Sequence, residues 1–431
     1  MRIIGNAGTA PRKVQAVASG ALATGDTVVV NADGTVSVVA ETSATQAIGT
    51  AATFFTSMKK VSATYDANAQ KVVLAFINNS TDYGTAIVGT VSGNSISFGT
   101  AVVFESAIVD DPSITYDANA QKVVIAYADQ GNGRYGTAIV GTVSGTNISF
   151  GTAAVFENAN ISYTNITYDS DTQKVVMSYT DSGNSSKGTA VVGTVSGTNI
   201  SFGTPVVFES GVSNYFSSAY DTNAQRVVIA YKDDGNSSKG TAVVGTVSGT
   251  AISFGSPVIF NSSGSSFNSA VYDSAAKKVV IAYRDQANSD GGTAIVGTVS
   301  GTSISFGTEV IFETGGTEFV SITYDSAAQK VVIAYTDDGN SGHGTLAVGT
   351  VSGTTISFET PVVFESDATV YTSATYEASA GKVVIAYKDY NNSNQGTAIV
   401  FQTGYTSTNL TSENYIGIAS NGYATGQAAT I

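Results

Sequence analysis

The sequence predicts an all-β fold: a seven-bladed β-propeller of four-stranded blades, inserted in a small β-domain that is split in sequence. Three observations carry this. The dipeptide Tyr-Asp recurs at Tyr65, Tyr116, Tyr168, Tyr220, Tyr272 and Tyr324, with Tyr376-Glu377 as a seventh copy, spaced by 51 residues once and by 52 five times. Each interval holds four short apolar segments rich in β-branched and aromatic residues, punctuated by Gly, Ser, Asn and Asp, with no helical periodicity. The seventh copy lacks its fourth segment, and a segment of the missing type stands just ahead of the first copy.

Within a unit the first strand is the approach to Tyr-Asp, as in SITYD (321–325). The second is KVVIAY (330–335), the third TAIVGTV (293–299) and the fourth ISFGTPVVF (200–208). KVVIAY is apolar on both faces, which suits a strand covered on both sides by neighbouring sheets rather than one half exposed to water. Four strands in about 50 residues, repeated seven times, is the arithmetic of propeller blades. The rival is an open solenoid with atypical capping units. Closure separates the two. The seventh unit runs from SATYEA through KVVIAY and TAIV into FQTGYTSTN, whereas Gln46 to Phe55 matches the absent ISFGTPVVF. An N-terminal strand that completes the last blade removes the exposed edges of an open array, so the propeller is expected over 46–402.

Antiparallel alternation puts the first-to-second and third-to-fourth turns on one face and the remaining connections on the other. The former (DANAQ, DSAAQ; SGT, SGN) hardly vary, as turns with a purely geometric task require. On the other face, the position five before the Tyr of Tyr-Asp is aromatic in five units, Tyr163, Tyr215, Phe267, Phe319 and Tyr371, and is Lys60 and Asp111 in the other two. These rings are expected in the loops entering the innermost strands, at the mouth of a central channel, where they either plug it by packing or offer a stacking surface to a ligand. The loops after the second strand begin with Asp129, Asp181, Asp233, Asp285, Asp337 and Asp389, Asn78 standing in the first unit. Asp before Gly-Asn-Ser is good turn chemistry and is also a candidate ligand position, although DDGNS lacks the alternating oxygen ligands of a calcium loop. Tyr83, Arg134, Tyr135, Asp290, His343 and Tyr390 give each blade tip a different character.

Composition narrows the function. Charged residues are 12% of the 431-residue chain against about 25% in ordinary soluble domains, and 19 Lys+Arg against 33 Asp+Glu leave a formal charge of −14. No basic run exists to follow a phosphate backbone, so nucleic acid is not an expected partner. With no cysteine and one histidine, thiol chemistry and sites needing two His ligands are excluded, and no motif calls for a cofactor or metal. No segment approaches the ~18 apolar residues of a membrane helix, and MRIIGNAGTAPRK lacks the pattern of a signal peptide, so synthesis in the cytosol or non-classical export is expected. Catalysis is not expected either: Arg134, Arg226 and Arg284 stand in three different local contexts, unlike a cluster converging on one carboxylate, and the loop aspartates repeat from blade to blade without a singular acid.

The termini carry a separate signal. Ala18-Ser19-Gly20-Ala21-Leu22-Ala23-Thr24-Gly25 aligns without a gap to Ala419-Ser420-Asn421-Gly422-Tyr423-Ala424-Thr425-Gly426. Residues 1–45 and 403–431 are therefore expected to form one small anchoring β-domain. The stretches ASGALATGDTVVVNADGTVSVV (18–39) and YIGIASNGYATGQAATI (415–431) resemble the small β-rich decoration and head-fibre proteins of tailed phages. The repeat, with KVVIAY, GTAIVGTVSG and ISFGTPVVFES, resembles propeller-like repeats in structural proteins of marine phages. The resemblance implies a virion-surface protein, a capsid decoration or head fibre, anchored through its terminal domain to capsid or other virion proteins. It further implies a homo-oligomer, a trimer among the options, and a projecting propeller. The polar face that varies from blade to blade, with its aromatic platforms and Asp or Asn side chains, suits adsorption to host-surface glycans as an added role. The alternative is a tail-fibre receptor-binding protein or a freestanding lectin-like adhesin.

Overall fold

The computed structural model describes residues 15–408, 415–419, 422, 424–425 and 427–430. The chain divides into two compact units, one from residues 46–403 and one from the described parts of 1–45 and 404–431.

The larger unit is all-β and is built from repeated antiparallel strand units. In the second unit of the repeat, Lys122–Asp129 pairs with Tyr135–Ser144, and the pattern returns every 52 residues down to Lys382–Asp389 against Gln395–Gln402. The second strands are covered on both faces, as KVVIAY requires. Val123, Ile125 and Tyr127 enter one apolar cluster while Val124, Ala126 and Ala128 enter the next, so alternate side chains bond successive sheets together. Complete burial of such a Val, Ile or Tyr contributes roughly 1.5–3 kcal/mol each.

Two features differ from the strand assignment made on sequence. The fourth strand is two pieces: Asn147–Phe150 pairs with the end of the third strand, and Ala154–Glu157 with its start. Gly151 lies at the break because the chain there presses on the next unit; a Cβ would sit 2.0 Å from the carbonyl oxygen of Thr198. The expected loop into the next first strand is also no loop. Ala154–Asp169 is one continuous 16-residue strand, outermost in one unit and then first in the following one. A long strand that changes partners must bend, and the register slips between Ser162 and Asn165. At this β-bulge the backbone turns left-handed, with φ of 52° at Tyr163.

The contacts between successive units are repeated in kind. A serine hydroxyl of one first strand accepts the amide of the next: Ser62 from Ile114, Ser113 from Ile166, Ser269 from Ile322 and Ser321 from Ala374. The same bond runs from the amide of Ala63 in the first unit to Ser373 in the seventh, at 3.0 Å. Likewise Ala47–Ile48 and Ala52–Phe55 pair with Gln395–Gln402 in the two-piece manner of the other fourth strands. Gly49 meets the carbonyl of Asn94 as Gly151 meets that of Thr198.

In the smaller unit strands from both ends of the chain pair. Gln15–Val17 joins Ala428–Thr430, Thr27–Val30 lies between Val36–Val38 and Tyr415–Ile418, and Glu41–Ala44 joins Tyr405–Thr408. Ala18, Leu22, Val28, Val36 and Ala419 form its core. Of the aligned terminal stretches, Ser420, Asn421, Tyr423 and Gly426 lie outside the described residues, as does 1–14.

Candidate functional site

The bulge residues converge. Lys60, Asp111, Tyr163, Tyr215, Phe267, Phe319 and Tyr371 all line one cavity of about 380 Å³. All seven have positive φ, at 39°, 46°, 52°, 52°, 51°, 47° and 58°. This is backbone in which glycine carries no Cβ penalty and an ordinary L-residue costs about 1–2 kcal/mol. The chain has 46 glycines and places none at these positions.

The five aromatic side chains follow one another around the cavity. Ring centroids lie 5.1 Å apart from Tyr163 to Tyr215, 5.2 Å to Phe267, 5.0 Å to Phe319 and 4.7 Å to Tyr371, all tilted or edge-on. Such pairs contribute about 0.5–1.5 kcal/mol each beyond burial. The rings are partly exposed, Tyr163 most of all at 38%. The two positions that break the aromatic run bond to each other. Lys60 Nζ lies 2.5 Å from both Asp110 Oδ1 and Asp111 Oδ1, Arg134 reaches Asp110 at 3.2 Å, and the Tyr163 amide donates to Asp111 at 2.7 Å. Burial opposes the Lys60 charge, but the carboxylates of Asp111 and Asp110 outweigh it and hold the ammonium above the ordinary lysine range. Asp110 is held below the carboxylate range: its burial is overcome by Lys60 and Arg134. The cavity thus combines aromatic faces on one arc with a fixed, ion-paired polar group on the other.

The six turn aspartates are in a different position. None lines the cavity. Asp129, Asp181, Asp233, Asp285, Asp337 and Asp389 each end a second strand and are only 6–8% exposed. In five of them a 3-10 turn follows. Asp285 accepts from the Ala287 amide and Asp389 from the Asn392 amide, both at 3.1 Å, whereas Oδ1 of Asp129, Asp181 and Asp233 is buried without a hydrogen-bond partner among the described residues. Burial raises the pKa of Asp129, Asp181, Asp233, Asp337 and Asp389, with turn amides pulling the other way. The aromatic and aspartate sets suggested by sequence therefore separate into a cavity lining and a turn framework.

The variable tips border the crossing strands. Arg134 O accepts from the Ile161 amide at 3.0 Å, Asp290 O from Thr317 at 2.9 Å and Gly342 O from Thr369 at 2.9 Å. Two lysines from second strands lean over cavity rings, Lys232 5.9 Å from the Tyr215 centroid and Lys388 5.9 Å from that of Tyr371. Sequence inspection missed both lysines; their only signal was a cation directly before the turn aspartate. The three arginines of the repeat stand apart, Arg134 on Asp110, Arg226 on the Gly301 carbonyl and Arg284 on Asp290 and Glu318. Among the described residues no group of three or more acids and histidines is arranged to hold a metal ion.

This all-β array of repeated antiparallel units matches propeller-containing structures. The BP39L lectin from Burkholderia pseudomallei superposes with a TM-score of 0.58 at 12% identity, over 85% of this chain and 100% of the lectin. A chain of the mitotic checkpoint complex superposes with a TM-score of 0.52 at 10% identity, over 83% of this chain and 95% of its own. No family model matches the sequence, and no curated protein matches it.

Proposed function

We propose that residues 46–403 are a closed seven-bladed propeller and that the protein is a carbohydrate-binding, lectin-like module without catalytic activity, taking sugar against the aromatic wall of the bulge cavity. Closure is supported by the contacts between the seventh and first units, which are of the kind made at most other junctions: the Ala63–Ser373 bond, the Gly49–Asn94 approach and the two-piece pairing of 47–55. The observation that carries the binding role is the cavity lining. Seven left-handed positions favour glycine, and each instead bears a large or charged side chain whose backbone costs about 1–2 kcal/mol. The same left-handed φ recurs at the first-to-second turns, at Gln70, Gln121, Gln173, Gln225, Lys277 and Gln329, so what marks the bulge is that five partly exposed aromatic rings and the Lys60–Asp111 pair converge on one cavity. Aromatic faces suit the C–H surfaces of sugars, and the ion-paired Lys60 and Asp111 suit their hydroxyls. The structural match to the BP39L lectin favours the same reading.

The test is a glycan array followed by calorimetry on the intact chain and on the Tyr215→Gly/Phe267→Gly variant. The glycines relieve two strained residues but remove three ring pairs, about 0.5–1.5 kcal/mol each, and the packing of Phe267 on the neighbouring core, so a loss of about 1–4 kcal/mol is expected in a chain that still unfolds cooperatively. Glycan binding should be lost. Unchanged binding, or a variant that unfolds because the rings are a structural plug, overturns the proposal.

A second reading concerns place rather than ligand. The terminal unit, in which both chain ends pair around their own core of Ala18, Leu22, Val28, Val36 and Ala419, suits an anchor. With the phage-like terminal motifs it favours a position on a virion surface, as decoration or fibre, from which many propeller copies would raise avidity by ~10²–10⁴. Gold-labelled antibody against the propeller should then decorate purified virions; particles free of label would remove this reading without touching the first.

A further inference from the structure

The residue preceding each turn aspartate is a cation in three units: Lys232, Arg284 and Lys388. Two of the three are neutralised. Lys232 lies 3.1 Å from Asp234, and Arg284 lies 3.0 Å from Asp290 and 2.8 Å from Glu318. Lys388 has no ion pair among the described residues. The position that holds Asp234 in the fourth unit holds Tyr390 in the seventh, and Lys388 Nζ sits between two rings, 5.4 Å from the Tyr390 centroid and 5.9 Å from that of Tyr371. Of the nearby acids, Glu365 accepts the Tyr387 hydroxyl at 2.9 Å and Asp389 the Asn392 amide.

Lys388 thus stands without a counter-ion of its own among the described residues, in a chain of net charge −14. Burial and the neighbouring Lys59 both hold the Lys388 ammonium below the ordinary lysine range. Lys59 has its own acid in Asp82 at 2.6 Å, so it repels without sharing a counter-ion. An anion placed at Lys388 would relieve this. The aromatic neighbours define what else the anion should carry: Tyr371 belongs to the cavity wall, and Tyr390 is 58% exposed and presents a ring to solvent beside it.

We infer that Lys388, Tyr371 and Tyr390 form a subsite for the anionic group of an acidic glycan, with Lys388 pairing with the carboxylate or sulfate while the attached sugar lies along the tyrosine rings toward the cavity. The inference rests on the carbohydrate-binding reading and specifies its substrate class. The sugar carboxylate and the sulfate ester share the chemistry that matters here, a compact anion on a polyhydroxylated ring, and the experiment separates them.

The intact chain is titrated with matched oligosaccharides in neutral, uronate or sialylated, and sulfated forms, alongside Lys388→Gln, Tyr390→Ala and the remote control Lys122→Gln. Acidic forms should bind at least about tenfold more tightly than neutral ones, with the preference falling as salt rises. Lys388→Gln should abolish that preference, bringing acidic forms down to the neutral ones, without changing the melting temperature; Tyr390→Ala should weaken the acidic forms, and Lys122→Gln should behave as the parent. Preference for the carboxylated or for the sulfated arm identifies the anion. Equal binding of neutral and acidic forms, or an acidic preference that survives Lys388→Gln, overturns the subsite while the carbohydrate-binding reading stands. Absence of binding to every form overturns both.

Discussion

Two positions recur around the repeat and are treated in opposite ways. The ring that ends KVVIAY is Tyr127, Tyr179, Tyr231, Tyr283, Tyr335 or Tyr387, always fully buried, always with its hydroxyl on a glutamate. The bulge residue ranges from Phe to Lys to Asp, sits partly exposed and carries strain. Buried positions between sheets see the same neighbours in each unit, so packing and hydrogen-bond satisfaction require the same residues. The bulge faces a shared cavity, and its residues differ because they chiefly meet the cavity and one another, with Phe267 also packed against a core cluster.

The exceptions at the buried position show how strictly it is governed. In the first unit the tyrosine is Phe76, and the glutamate is Phe55; the hydrogen bond is exchanged for a ring contact at 4.8 Å. In the fifth unit the glutamate is Asn261, and Glu309, which stands where other units have Pro or Ala, reaches both the Tyr283 hydroxyl at 2.8 Å and Asn261 at 3.2 Å. At this position no tyrosine hydroxyl is left without a partner, and each departure comes with its compensation.

The sharpest way to break this contrast is to remove the strand that supplies Phe54 and Phe55. Deleting residues 1–55 should abolish cooperative thermal unfolding, whereas deleting 1–40 should leave the main transition in place; two truncations that melt like the parent would refute closure. Next in size, Phe76→Tyr should destabilise by about 1–3 kcal/mol through a buried hydroxyl facing Phe55. Phe55→Glu/Phe76→Tyr should recover most of that in a double-mutant cycle read by denaturant unfolding. Zero coupling would mean the two positions are independent.

The third expectation concerns pH. Burial first, and the facing glutamates second, raise the six tyrosines above the ordinary 10.0. The folded chain then holds protons that the unfolded chain releases, so their stabilisation is complete below pH 10 and declines as pH rises beyond it. Tyrosinate absorbance from these groups should appear together with unfolding, not ahead of it. The smallest expected effect is at the bulge itself, where Tyr163→Gly, which removes the most exposed ring and one ring pair, should barely change the midpoint; a loss as large as that of Phe76→Tyr would erase the distinction between the two positions.

Much of the fold was legible before the structure. The 52-residue period, four strands per unit, the two-faced burial of KVVIAY and the match of 46–55 to a missing strand all follow from local pattern, because strand alternation and turn chemistry act over a few residues and a repeat displays them many times. The aromatic set was legible as a set. Its setting was not: the bulge arises because one 16-residue strand serves two units, a demand set by partners up to fifty residues away, and no local signal marks the left-handed φ of Tyr163 or Phe267. The Lys60–Asp111 pair, the compensation by Glu309 and the unneutralised Lys388 between its tyrosines likewise join side chains from different units or different strands. Sequence by itself determined which residues must be buried and how often the pattern returns, since both follow from short-range chemistry. Only the tertiary structure decided which exposed groups meet, since charge balance and cavity shape are set by distances between units that the order of residues does not state.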